Sequence, residues 1–189
     1  MKPAILTFSG PIASGKSALS NKLAQTFHWS RVSFGDYVRS IADARKIPKT
    51  REVLQAIGTE LVTSDVEGFC NTVLEQASWQ HGRPLIIDGI RHVDVLKTLQ
   101  KLVAPMKLYL IFITIDRGVQ ANRLIKRGTD ELLAIQTLEL DVTEQQVGTY
   151  LRDIADFVVD GSRSVEEATQ DIADWLQFQR VNNCRTITQ

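Results

Sequence analysis

Gly10-Pro11-Ile12-Ala13-Ser14-Gly15-Lys16-Ser17 is the stretch on which the fold turns. It fits the spacing G-x-x-x-x-G-K-[ST], and its setting matters as much as its letters. The apolar run Ala4 to Phe8 precedes it, and a segment of helical period marked by Leu19, Leu23 and Phe27 follows. A strand that stops at a glycine-rich turn and restarts as a helix leaves successive backbone N–H groups facing inward at a positive helix terminus, a nest for an anion. Gly10, Ala13, Ser14 and Gly15 form that cradle; Lys16 reaches phosphate as a mobile point charge, and the Ser17 hydroxyl ligates Mg²⁺. A glycine turn with a surface lysine is the plainer reading, but it leaves the full spacing unexplained.

Working outward, further apolar runs lie at Arg31 to Phe34, Leu85 to Ile87, Leu108 to Ile115 and Phe157 to Val159, separated by segments of helical period. Runs that are apolar without alternation are strands covered on both faces, as in parallel sheets. Capping-box spacings at Ser64/Glu67, Thr143/Gln146 and Ser164/Glu167 start helices, and Gly82 with Pro84 closes the segment before the third strand. Val66, Phe69, Cys70, Val73, Leu74 and Ala77 make one apolar helix face, which gives Cys70 a structural role. Strand and helix alternating over the whole length predict a three-layer α/β fold with right-handed crossovers. About fifty residues of helix between the second and third strands, and a helical stretch from Asp116 to Ala155, exceed what crossovers need. They would wall a ligand at the strand C-termini.

The remaining composition narrows the classes. The chain has 189 residues, 43% hydrophobic and 23% charged, which favours one domain with a real core over a disordered or fibrous chain. Twenty-two Lys+Arg balance 22 Asp+Glu, so no global field draws the chain to nucleic acid or an anionic membrane, and any anion must be held locally. Cys70 and Cys184 are too few for a disulfide framework and suit the cytoplasm. The N-terminal apolar stretch is short for a leader, and no run has the length of a membrane span. The polar tail Gln179 to Gln189 lacks helical periodicity.

Other stations carry chemistry. Gly35-Asp36-Tyr37-Val38-Arg39 follows the second strand: Asp36 is of a common N-cap type, and Arg39 lies one turn on, near the strand ends where an anion would sit. In Asp88-Gly89-Ile90-Arg91 a carboxylate ends the third strand beside the phosphate loop. There it can hold a magnesium water, glycine admits a close ligand, and Arg91 offers a bidentate fork to phosphate. Arg123 and Arg127, four apart, share a helix face ahead of Gly128; they either bracket an anion or form a solvated basic face with Lys126. Arg51 and Gln55 are likewise one turn apart, opposite Leu54, Ile57 and Leu61, which also fits an exposed polar face. His28, His81 and His92 sit at element ends and read as structural or solvated, His92 standing next to Arg91.

Taken in order, these stations and the Ala155 to Val159 strand resemble the P-loop nucleoside monophosphate kinases over essentially the whole chain. Adenylate kinases usually read D-G-F-P-R where this chain has the shorter D-G-I-R. Thr50 to Glu60 is similar to the R-x-x-L-Q-x-x-G-T-E stretch of phage-type deoxynucleoside monophosphate kinases, and dephospho-CoA kinases are a second match. The resemblance implies one P-loop NTPase-fold kinase domain over residues 1–189, with five parallel strands. It also implies an acceptor-binding helical region at about 35–80 and a lid at about 117–142. It implies ATP and Mg²⁺ and a small-molecule nucleotide acceptor. Arg39, Arg51 and Arg91 would hold the acceptor phosphate, with Asp36 in the same region, and Gln55 would read the base. Lys16, Arg91, Arg123 and Arg127 would serve the transferring phosphoryl, and Ser17 and Asp88 the metal. For a dephospho-CoA acceptor, Asp36 is the candidate base. A nucleotide-dependent switch is the reading from another class, but N-K-x-D is absent and the three arginines would then lack a common purpose.

Overall fold

The computed structural model describes residues 3–128 and 147–185, with the side chains of 147–148 and 180–185 outside the description. In chain order the elements are β1 (Ala4–Ser9), α1 (Lys16–Phe27), β2 (Ser30–Ser33), α2 (Phe34–Ala44), α3 (Arg51–Gln76), β3 (Leu85–Asp88) and α4 (Val93–Leu102). They are followed by β4 (Lys107–Thr114), α5 (Arg117–Ile125), a π-helical turn (Val147–Leu151), β5 (Phe157–Asp160) and α6 (Val165–Arg185). The five strands pair in parallel in the order β2-β3-β1-β4-β5.

Pleating explains the unbroken apolar runs. Ile5, Leu85, Ile87, Leu110 and Phe112 enter one core with α2, α3 and α4. Their neighbours Leu6, Phe8, Ile86, Ile111 and Ile113 enter the other core with α1 and α6. Each inner strand is therefore buried on both faces, and the fold is the three-layer α/β arrangement read from the sequence. The Cys70 thiol, in the first core, is pushed up to about 12 by burial, with Glu67 adding to the effect.

Local boundaries differ in three places. The second strand ends one residue early: Ser33 Oγ accepts from Asp36 N at 3.2 Å, so Ser33 is the N-cap, Phe34 opens α2, and Asp36 is freed from capping. Within α3 the break falls at Asp65 (φ −159°, ψ 82°), whose Oδ1 accepts from Gly68 N at 2.8 Å, rather than at Ser64. The last helix runs on to Arg185 because the tail contains no glycine or proline to stop propagation. The box at Ser164/Glu167 forms reciprocally, Glu167 N donating to Ser164 Oγ and Ser164 N to Glu167 Oε2, both at 3.2 Å. The Thr143/Gln146 box lies outside the described residues.

Candidate functional site

The phosphate-binding loop sits where β1 ends at the middle of the sheet. Its first glycine has no substitute: φ at Gly10 is 142°, and a Cβ there would lie 2.4 Å from the Ile113 carbonyl oxygen. Gly15 caps α1 in the left-handed conformation. Lys16 Nζ folds across the loop and donates to the carbonyls of Gly10 at 2.7 Å and Pro11 at 2.6 Å.

Two side chains of α5 brace this loop from outside. Gln120 Nε2 donates to Ile12 O at 2.8 Å. Arg123 Nη1 donates to Ala13 O and Ser14 O, both at 3.2 Å, and its Nη2 to Gly161 O at 2.8 Å. The Gln120 brace was not anticipated in the sequence; its signal is structural, a buried polar side chain on a short helix.

Asp88 ends β3, in register with Phe8 of β1 and Ser33 of β2. Its side chain is 3% exposed, and Oδ2 accepts from Ser17 Oγ at 2.7 Å and from Arg31 Nη2 at 2.6 Å. Oδ1 is buried and has no hydrogen-bond partner among the described residues, as does the Ser14 hydroxyl of the loop. Arg31, on β2, was missed in the sequence. Its Nε donates to Ser20 Oγ at 2.8 Å, and its Nη1 lies 3.7 Å from Asp36 Oδ2. Asp36 Oδ1 also accepts from Arg39 Nη2 at 2.5 Å.

A cleft of about 490 Å³ gathers most of the candidate residues. Lys16, Ser17 and Asp88 share its wall with Arg39, Arg51, Gln55, Arg91 and Arg127. Phe34, Val38, Leu54, Phe69 and Val95 supply an apolar side, where Phe34 and Phe69 meet edge to face with centroids 4.9 Å apart. Lys49, paired with Asp43 at 2.6 Å, and His92 line it as well. Burial, then the adjoining Arg91 charge, holds the His92 imidazole below its ordinary range. Asp36 and Arg123 do not line this cleft. Arg123 instead faces a second cleft of about 320 Å³, which Ala13, Ser14 and Gly15 share with Arg127, Gly161 and Val165. The part of the expected lid beyond Gly128 lies outside the described residues.

Comparisons with known proteins fit this geometry. The sequence profile described as an AAA domain matches residues 6–139. An adenylate kinase of Synechococcus sp. (strain WH7803) is 26% identical over 147 residues, 75% of this chain and 79% of that protein. A gluconokinase structure from Sinorhizobium meliloti 1021 aligns with TM-score 0.57 at 19% identity, covering 94% of this chain and 98% of that one. A shikimate kinase structure from Aquifex aeolicus vf5 aligns with TM-score 0.58 at 16% identity, covering 93% and 98% respectively. At such identities the two structures speak for the fold alone.

Proposed function

The chain belongs to the AAA-domain family, and on that premise we propose that it transfers the γ-phosphoryl of Mg·ATP to the phosphate of a nucleoside monophosphate, giving the diphosphate. One observation carries the reading: Arg39, Arg51 and Arg91 line the same cleft as Lys16, Ser17 and Asp88. Three guanidinium groups converging beside a phosphate loop suit two phosphorylated ligands meeting end to end. The Thr50 to Glu60 resemblance favours a deoxynucleotide acceptor.

An acceptor phosphate is already ionised, so the chain needs no general base, only positioning and charge neutralisation. Backbone N–H groups of residues 13–17 hold the donor phosphates, and Lys16 leaves its loop carbonyls to meet them. Arg39, Arg51 and Arg91 hold the acceptor phosphate in line with the donor, while Gln55 and the Phe34–Phe69 wall receive its base. The second cleft, reached from the same loop, receives the base of ATP beside Arg123. Arg127, which borders both clefts, serves the transferring phosphoryl.

The residues fit a magnesium ion. Asp88 Oδ1 is a buried carboxylate oxygen without a hydrogen-bond partner among the described residues. Ser17 gives its proton to Oδ2, which leaves the hydroxyl lone pairs for a cation. Mg²⁺ is commonly held in this way, by few protein oxygens plus substrate phosphates. When bound it would neutralise charge on the phosphates.

For a ribose-hydroxyl acceptor such as dephospho-CoA the base would be Asp36, whose carboxylate meets Arg39 and Arg31 outside the cleft lining; this supports the phosphate acceptor. A coupled assay of ATP turnover against the common ribo- and deoxyribonucleoside monophosphates and dephospho-CoA tests the choice. Turnover with at least one monophosphate is expected. Turnover with dephospho-CoA alone, or with none of them, would sink the proposal.

A further inference from the structure

Asp88 alone does not explain why one of its oxygens is doubly engaged and the other bare. Oδ2 takes both the Ser17 hydroxyl and Arg31 Nη2, while Oδ1 is buried without a hydrogen-bond partner among the described residues. The Arg31 side chain is 17% exposed and stands behind Asp88, outside the cleft lining. Its three guanidinium nitrogens go to three different places: Nε to Ser20 Oγ at 2.8 Å, Nη2 to Asp88 at 2.6 Å, and Nη1 within 3.7 Å of Asp36. A fork pinned by α1 on one side and α2 on the other has one orientation, and it imposes that orientation on the carboxylate it grips.

Resting on the reading of Asp88 above, we propose that Arg31 is a positioning residue for a divalent cation: by occupying Oδ2 it holds the Asp88 carboxylate turned so that Oδ1 is the atom left to the cation or its water. The sequence showed only a charged residue in a short strand.

The test is the Mn²⁺ affinity of the protein bound to a non-hydrolysable ATP analogue, read from the free-Mn²⁺ electron paramagnetic resonance signal. It is set beside the affinity for the analogue in EDTA. Removing a partner that orients a metal ligand weakens metal binding by about tenfold or more. Arg31→Gln is therefore expected to lose about that much Mn²⁺ affinity and to bind the analogue in EDTA as the parent does. Arg31→Lys, which keeps the charge but reaches only one of the three partners, is expected to fall between. If Arg31→Gln does not fold, Arg31→Lys decides, and parental Mn²⁺ affinity in the lysine variant overturns the proposal. So does an equal loss of Mn²⁺ and metal-free analogue binding, the mark of a merely structural pair. Asp88→Asn separates the two claims. If it retains Mn²⁺ binding, the assignment of Asp88 itself falls; if it loses Mn²⁺ binding while both Arg31 variants keep it, only the role of Arg31 falls.

Discussion

Gly161 lies just after β5, far from the phosphate loop in sequence, yet a methyl group there should reach the loop. A Cβ at this position would stand 2.3 Å from Ser14 O, 2.6 Å from Ile113 Cγ2 and 2.9 Å from Thr114 O. Two of these neighbours are backbone oxygens that no rotamer change can move, so the chain must retreat by about 1 Å to regain ordinary contact. Overpacking of this kind costs about 1–3 kcal/mol. The retreat also draws Gly161 O away from Arg123 Nη2, now at 2.8 Å. That charged hydrogen bond is partly exposed and is worth about 1 kcal/mol here. Gly161→Ala should thus lose about 3 kcal/mol, which for a chain of this size is about 9 °C in Tm. Because the displaced contact is the Ser14 carbonyl, affinity for an ATP analogue should fall at least about tenfold, the equivalent of 1.4 kcal/mol. Urea and thermal denaturation give the first number and a fluorescent ATP analogue the second. Gly58→Ala is the control: nothing lies within 4 Å of its Cβ, and it sits in α3, so a gain of about 0.5–1 kcal/mol is expected. A Gly161→Ala protein within about 0.5 kcal/mol of the parent, the usual range for innocuous surface changes, and with unchanged analogue affinity would show that Gly161 does not hold the loop in place.

Arg123→Met keeps the packed stem but removes three donations to backbone carbonyls; a loss of about 1–3 kcal/mol in stability and weaker ATP-analogue binding are expected from denaturation and titration. Slower turnover with both quantities unchanged would instead put Arg123 on the reacting phosphoryl. In a Cys184→Ser protein, the Cys70 thiol, pushed up to about 12 by burial, should ignore an aromatic disulfide reagent until urea unfolds the chain. Prompt labelling of the folded protein would contradict its place in the core. Burial raises the Asp156 carboxyl against the opposing Leu110 N–H, so the folded state binds the proton more readily than the unfolded state does. Stability should therefore fall as pH rises from the ordinary aspartate range through the raised value, and Asp156→Asn should flatten that slope in urea titrations. His92 has the opposite sign. Its lowered value means that stability is lost as pH falls from the ordinary histidine range through that value, and His92→Gln should remove this loss.

What the sequence made legible follows the range of the physics involved. The strands and the loop after β1 are local features: an unbroken apolar run means two covered faces, and glycine spacing reports backbone conformation directly. Asp88 was found because it terminates such a run. Arg31 was not, because its meaning depends on the pairing of β2 with β3, which sets Ser33 opposite Asp88 and brings two charged side chains from separate strands together. Gln120 and the bracing contacts of Arg123 escaped for the same reason: helical spacing gave the face of α5, but only the packed chain shows that this face rests on loop carbonyls. Phe34 was read into β2 because burial looks the same in a strand end and a helix start; the Ser33 cap decided between them. At Ser64 and Asp65 two residues of capping type stand side by side, and the bend fell on the one whose carboxylate reaches Gly68 N.

In the proposed reaction donor and acceptor phosphates meet in the cleft shared by Lys16 and the three arginines. The most direct measurement is calorimetric titration with a bisubstrate compound, two nucleosides joined through five phosphates. If both sites open into one cleft, tethering makes the second contact intramolecular, and the compound should bind one to one, about 100-fold or more tighter than ATP. Lys16→Ala and Arg91→Ala should each abolish that gain. Binding no tighter than ATP, or two independent equivalents per chain, would contradict the account.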